Sequence, residues 1–124
     1  MATIRAYTTI EQSRKLAEIL PLESADMCYK YYSGGMITGY GDCVFAKSFI
    51  TGKNVIREND LPCWSLAALL YVLPDKTCVY KKTYKDGRVK YQGVAEGIKD
   101  LILKDNPVDA CYEMIIKLHE LKML

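Results

Sequence analysis

The stretch Asn59-Asp60-Leu61-Pro62-Cys63-Trp64-Ser65-Leu66-Ala67-Ala68-Leu69-Leu70-Tyr71-Val72-Leu73-Pro74 decides the fold. Trp64, Leu66, Ala67, Leu69, Leu70, Val72 and Leu73 leave almost no polar side at helical spacing. A helix that is apolar nearly all round lies inside a domain, covered on both sides. The spacing predicts a helix over 62–73 at the centre of the core. Pro62 suits its first turn, where a missing amide hydrogen costs nothing, and Pro74 stops it. The apolar run from Cys63 to Leu73, broken by Ser65, has 11 residues. A bilayer-spanning helix needs ~20, so no membrane span is expected.

Working outward, two further helices are expected. One covers 10–20. Thr8 with Glu11, or Thr9 with Gln12, offers a capping box, in which a hydroxyl accepts a free amide and the residue three on reaches back. Leu16, Ala17, Ile19 and Leu20 form its apolar stripe, and Pro21 ends it. The other covers 107–122. Asn106 is placed to cap it, Pro107 fills the first helical position and Asp109 the third. Val108, Cys111, Tyr112, Ile115, Leu118 and His119 share one stripe, widened by Met114, Ile116 and Leu121. Acidic residues gather at its start and Lys117, His119 and Lys122 at its end, in the order that suits the helix dipole.

Between the helices the pattern is that of strands. Tyrosine-rich 27–32 fits a half-buried pleated surface, and 43–50 is a second candidate. Residues 78–84 and 88–92 flank Asp86-Gly87, which supplies the backbone torsions of a tight hairpin turn. Alternation puts Tyr80, Lys82 and Tyr84 on one face, with Lys81, Thr83 and Lys85 on the other. Residues 101–103 read as a strand, since Gly93 and Gly97 weaken a helix there. The expected fold is α+β: a single small two-layer domain over 1–124, with about three helices packed on a mostly antiparallel sheet.

Bulk composition agrees. The chain has 124 residues, 50% apolar and 26% charged, and a formal charge of +2. These values fit one soluble globular domain and exclude a collagen-like chain, a disordered tail and a two-domain enzyme. No apolar stretch follows Arg5, so no signal peptide is expected and the location is cytoplasmic. The five cysteines, Cys28, Cys43, Cys63, Cys78 and Cys111, lie at least 15 positions apart. That spacing is not that of a zinc knuckle or a redox dithiol. They are expected as reduced thiols that pack as small apolar groups, and no metal or cofactor is expected.

Three stretches carry a resemblance: 8–29, with Glu23-Ser24-Ala25-Asp26-Met27 as its kernel; 61–74; and 106–121. As a set they resemble a family of short uncharacterised proteins of bacterial prophages and mobile elements of gut anaerobes. They cover somewhat under half the chain, and 30–60 and 75–104 carry none of it. The resemblance implies a mobile-element origin and supplies no catalytic residues.

Four features of the sequence bear on chemistry. His119 with Cys43 or Cys63 would make a thiol enzyme only if a cysteine lay beside the imidazole and an oxyanion hole faced it; the bland alternative is a histidine at a helix end. Ser33-Gly34-Gly35-Met36-Ile37-Thr38-Gly39-Tyr40-Gly41-Asp42 lacks the Lys-Ser/Thr ending of a phosphate loop and reads as a flexible connection or long hairpin loop. The acidic pairs Glu23/Asp26 and Asp105/Asp109 sit beside helix ends, where carboxylates cap amides. The fourth feature is the segment 76–91, with six cations against Asp86 alone. Lys81, Lys82, Tyr84, Lys85, Arg88 and Lys90 are its candidate nucleic-acid contacts, because rings with flanking cations grip single strands. Lysines also guard exposed strand edges. The expectation is a small non-enzymatic protein-interaction or accessory module, acting on an unidentified protein partner or on its own copy, with tyrosines supplying contact surface. A nucleic-acid-binding accessory factor using 76–91 is the alternative.

Overall fold

In a computed structural model, which describes residues 5–34, 38–47 and 52–124, the expected helices and strands build an α+β fold. Helix α1 (Ile10–Ala17) is followed by a 3-10 turn (Leu22–Ser24), β1 (Met27–Tyr32), β2 (Gly39–Phe45) and β3 (Leu61–Cys63). Then come α2 (Leu66–Val72), β4 (Thr77–Thr83), β5 (Val89–Ala95), β6 (Ile102–Lys104) and α3 (Pro107–Glu120). The strands pair antiparallel throughout, in two sheets of three rather than in one: β2-β1-β3 and β4-β5-β6. The chain divides into two compact units, Tyr7–Ala68 and residues 5–6 with Leu69–Leu124.

In the Tyr7–Ala68 unit, α1 packs beside β3. Of the two capping boxes open to it, α1 uses Thr9 with Gln12: the hydroxyl accepts from the Gln12 amide at 3.1 Å and the Gln12 side chain accepts from the Thr9 amide at 3.0 Å. Thr8 is thereby free for another task. The helix stops at Ala17, short of the expected 20, and the Ile19 and Leu20 amides both turn back to the Leu16 carbonyl. Strand β1 has the expected span. Strand β2 starts earlier than expected, at Gly39, and 48–50 of the candidate 43–50 lie outside the described residues. The pairing of Tyr32 with Gly39 makes β1 and β2 a hairpin and puts residues 39–42 of the glycine-rich segment in β2, while 35–37 lie outside the described residues.

The second unit carries α3 against β4, β5 and β6. Asn106 caps α3, its side chain accepting from the Val108 amide at 2.8 Å, and Pro107 opens the first turn. Val108, Cys111, Met114, Ile115 and Leu118 are fully buried. Met114 thus takes a core place, while Tyr112 is half-buried and His119 exposed. At Gly93 of β5 a Cβ would stand 3.0 Å from the Met114 sulfur, so the glycine lets the helix lie close on the sheet.

The central stretch departs from its expected form. Leu61-Pro62-Cys63 is strand β3, paired with Met27, Cys28 and Tyr29, and the helix begins only at Leu66. Ser65 starts it, its hydroxyl accepting from the Ala68 amide at 3.2 Å. Trp64 and Leu69 are fully buried, as expected of a core centre. The helix is not covered all round, however: Ala67 and Leu70 are exposed, and Tyr71 is 89% exposed. A two-turn helix has room for one buried stripe only, and the remaining apolar side chains face water.

Candidate functional site

The hairpin 76–91 is the first site to place. Strands β4 and β5 pair in register from Thr77 opposite Ala95 to Thr83 opposite Val89. The turn is one residue longer than an Asp-Gly turn. The Tyr84 amide donates to the Arg88 carbonyl, the Gly87 amide donates to the Tyr84 carbonyl, and Gly87 takes a φ of 89°. This is the three-residue hairpin loop whose last residue must enter the left-handed region. Because Gly93 faces α3, its partner Val79 faces α3 as well, and Cys78, Tyr80 and Lys82 point to the opposite side. Tyr80 and Lys82 are exposed there.

The cations divide into two groups. Lys90 pairs with Asp105, Arg88 with Asp86 at 2.7 Å, and Lys76 with Glu96 at 3.8 Å. The Arg88 guanidinium also lies 5.1 Å from the centre of the Tyr84 ring. Lys81, Lys82 and Lys85 are exposed and form no ion pair among the described residues. Three of the six cations in the segment therefore have acidic partners nearby, and its field is weaker than the sequence suggests.

The acidic pairs separate into structural roles. Glu23 is exposed. Asp26 accepts from the Ser65 amide at 2.9 Å and from the Ser65 hydroxyl, holding the residue that starts α2. Asp105 takes Lys90, and Asp109 takes Arg5. Asp60 is the most deeply placed carboxylate. Its oxygens accept from the Tyr31 amide (2.9 Å), the Arg57 amide and guanidinium (2.9–3.1 Å) and the Lys30 ammonium (3.1 Å), and its side chain is fully buried. Burial alone would push its carboxyl up. Arg57, the two backbone amides and Lys30 outweigh it and hold the group well below the usual carboxylate range.

A cluster that spacing could not reveal lies on the β2-β1-β3 sheet. Cys43 stands opposite Tyr29 and Cys63 opposite Met27, so both thiols share the face of Met27 and Tyr29, one on each flank of β1. The Cys43 thiol donates to the Cys63 sulfur at 3.5 Å. Thr8 closes the cluster: its hydroxyl lies 3.4 Å from the Cys63 sulfur and 2.7 Å from the Ser13 hydroxyl, and accepts from the Trp64 amide at 3.2 Å. The Tyr29 hydroxyl donates to the Thr8 carbonyl at 2.6 Å. Hydrogen bonds from Cys43 above all, then from Thr8, Ser13 and Tyr29, hold the Cys63 thiol below its ordinary value against the effect of burial. The same contact with Cys63, together with burial, pushes Cys43 up. Cys63 is fully buried, whereas Cys43 is half-buried.

The other thiols stand elsewhere. Burial pushes Cys111 up to about 12, and Cys28 is buried as well. His119 belongs to the other unit, exposed on the last turn of α3. A pocket of about 310 Å³ there is lined by Gly97, Asp100, Lys117 and Leu121 among others, and the 3.3 Å ion pair of Lys117 with Asp100 spans two of its lining residues. Among the described residues no helix is long and apolar enough to cross a membrane, and no three His, Cys, Asp or Glu side chains gather as a metal site would need. Comparison with protein-family models, with curated proteins and with solved structures gives no match.

Proposed function

We propose that the protein is a small non-enzymatic accessory module of a prophage or mobile element, and that it works in the cytoplasm by docking a second copy of itself through the bare side of α2. The observation that carries this reading is the exposure of Leu70 (46%) and Tyr71 (89%) on a helix whose other side is buried. Tyrosine with neighbouring aliphatic surface is the usual composition of an interface core. Residues 61–74 carry no charge. An uncharged apolar surface is self-complementary about a two-fold axis, where no like charges oppose. The resemblance of 8–29, 61–74 and 106–121 to the mobile-element family supports the mobile-element origin. Light scattering on the purified chain over a micromolar concentration series tests the reading. A mass that climbs toward two chains is expected; a mass of one chain throughout contradicts it.

A second reading rests on a different observation. Tyr80 and Lys82 are exposed together on the sheet face away from α3, with Lys85 in the adjoining turn and Lys81 exposed on the other side of the edge strand β4. That arrangement suits single-stranded nucleic acid. Affinity for an oligonucleotide would then fall with salt at a log–log slope of about −2 for three lysines. Replacing Lys81, Lys82 and Lys85 by glutamate would abolish it.

A further inference from the structure

We propose that Cys43 and Cys63 are an oxidation site that closes to a reversible disulfide when the chain meets a hydroperoxide. The inference does not depend on the docking reading, since it concerns the β2-β1-β3 sheet alone. Its ground is the placement of the two sulfurs 3.5 Å apart on one face, with one partly open to solvent and the other enclosed by hydroxyls.

The two thiols share a proton along the Cys43–Cys63 contact. Cys63 is the better stabilised anion, because the Cys43 thiol donates to it and Thr8, Ser13 and Tyr29 add further hydrogen bonds. In the resting pair the charge sits on Cys63 and the proton on Cys43; the minor form, with the proton passed inward to Cys63, carries the charge on Cys43, the member that solvent can reach. The Cys43 thiolate attacks one peroxide oxygen, the O–O bond breaks, and the leaving hydroxide takes a proton to become water; Cys43 is then a sulfenic acid. The Cys63 sulfur attacks the Cys43 sulfur, the S–O bond breaks, and a second water leaves with the remaining thiol proton. Two thiols and one hydroperoxide thus give one disulfide and two waters when the oxidant is hydrogen peroxide. The low proton affinity of Cys63 keeps it ready for the second step.

The bridge would straddle β1. Two strand spacings with a two-residue offset along β1 amount to about 12 Å across a flat sheet, a gap that curling of the sheet must reduce. The Cα atoms of a disulfide usually lie about 5.5–6 Å apart. Between the Tyr29–Cys43 and Tyr31–Tyr40 pairs β2 carries one residue more than β1, a bulge in β2, and bulges strengthen local twist. A bond formed here holds the sheet in a curled shape and is strained. Strained disulfides are the readily reduced ones, which suits a transient modification in a reducing compartment.

The test treats the full chain with one equivalent of hydrogen peroxide, then alkylates it and maps the peptides by mass spectrometry with and without reduction. The expected result is a Cys43–Cys63 cross-linked peptide that reduced glutathione reverses, with Cys28, Cys78 and Cys111 still alkylated. Cys43→Ser is expected to fold, since position 43 is half-buried, and to leave Cys63 alkylatable after unfolding. Cys63→Ser is expected to stop at a Cys43 sulfenic acid that dimedone traps. If Cys43 and Cys63 both stay free while Cys78 alone oxidises, or if the link joins any other pair, the inference is overturned.

Discussion

Thr8 shows how much one hydroxyl can hold. It is fully buried, and its oxygen meets the Trp64 amide, the Ser13 hydroxyl and the Cys63 sulfur within 3.4 Å. Thr8→Val keeps the shape and leaves a buried amide without its acceptor, at a cost of about 1–3 kcal/mol. Urea unfolding checks this, and a loss within experimental error would remove Thr8 from the account. Asp60 makes a pH-dependent contribution. Its folded carboxyl binds a proton more weakly than the unfolded one, whose value is about 3.9. Its stabilisation is therefore fully present above that value and is lost as the pH falls through and below it. Asp60→Asn is expected to flatten the acid limb of a stability–pH profile. At neutral pH it weakens the pairing with Lys30 and Arg57, whose cationic ends reach solvent, at a cost of about 1 kcal/mol. An unchanged acid limb in the variant would assign acid unfolding to other groups.

Single elements behave according to their two sides. On α2, Leu69→Ala is expected to cost about 2–5 kcal/mol because it opens a cavity at a fully buried position. Tyr71→Ala, two residues on and bare, should stay within about 0.5 kcal/mol. Equal costs at the two positions would contradict the sidedness of the helix. On α3, Asn106→Ala removes an acceptor from a buried turn and is expected to cost about 1 kcal/mol in thermal or urea unfolding. Pattern and capping made α1, α3, β1 and the β4–β5 hairpin legible, because their signals lie within a few residues of one another. Strand β3 was not legible. Its middle residue is Pro62, which argues against a strand; the chain tolerates it because β3 is an edge strand, where one amide of each pair faces outward. With 61–63 taken by the sheet, Ser65 becomes the first cap available, and α2 is shorter than its apolar run.

At the scale of the whole molecule, the α+β class and the antiparallel pairing followed from the order of elements, but the split into two sheets did not. Nothing in the alternation of Met27–Tyr32 and Thr77–Thr83 says which neighbour a strand chooses. The thiol pair was illegible for the same reason. Cys43 and Cys63 are 20 positions apart and meet only because β1 pairs with both β2 and β3. The hairpin face was legible from alternation alone, whereas the neutralisation of Lys90 by Asp105 needed the neighbouring strand β6. The surface that the proposed function uses is not legible in the sequence, since an apolar residue in a run carries no mark of the side that stays bare. Sedimentation of Tyr71→Lys beside the unmodified chain tests that surface most directly. The unmodified chain is expected to approach two copies as concentration rises, while the variant remains one copy with the same unfolding midpoint. A variant that associates as strongly as the unmodified chain would contradict the proposed docking.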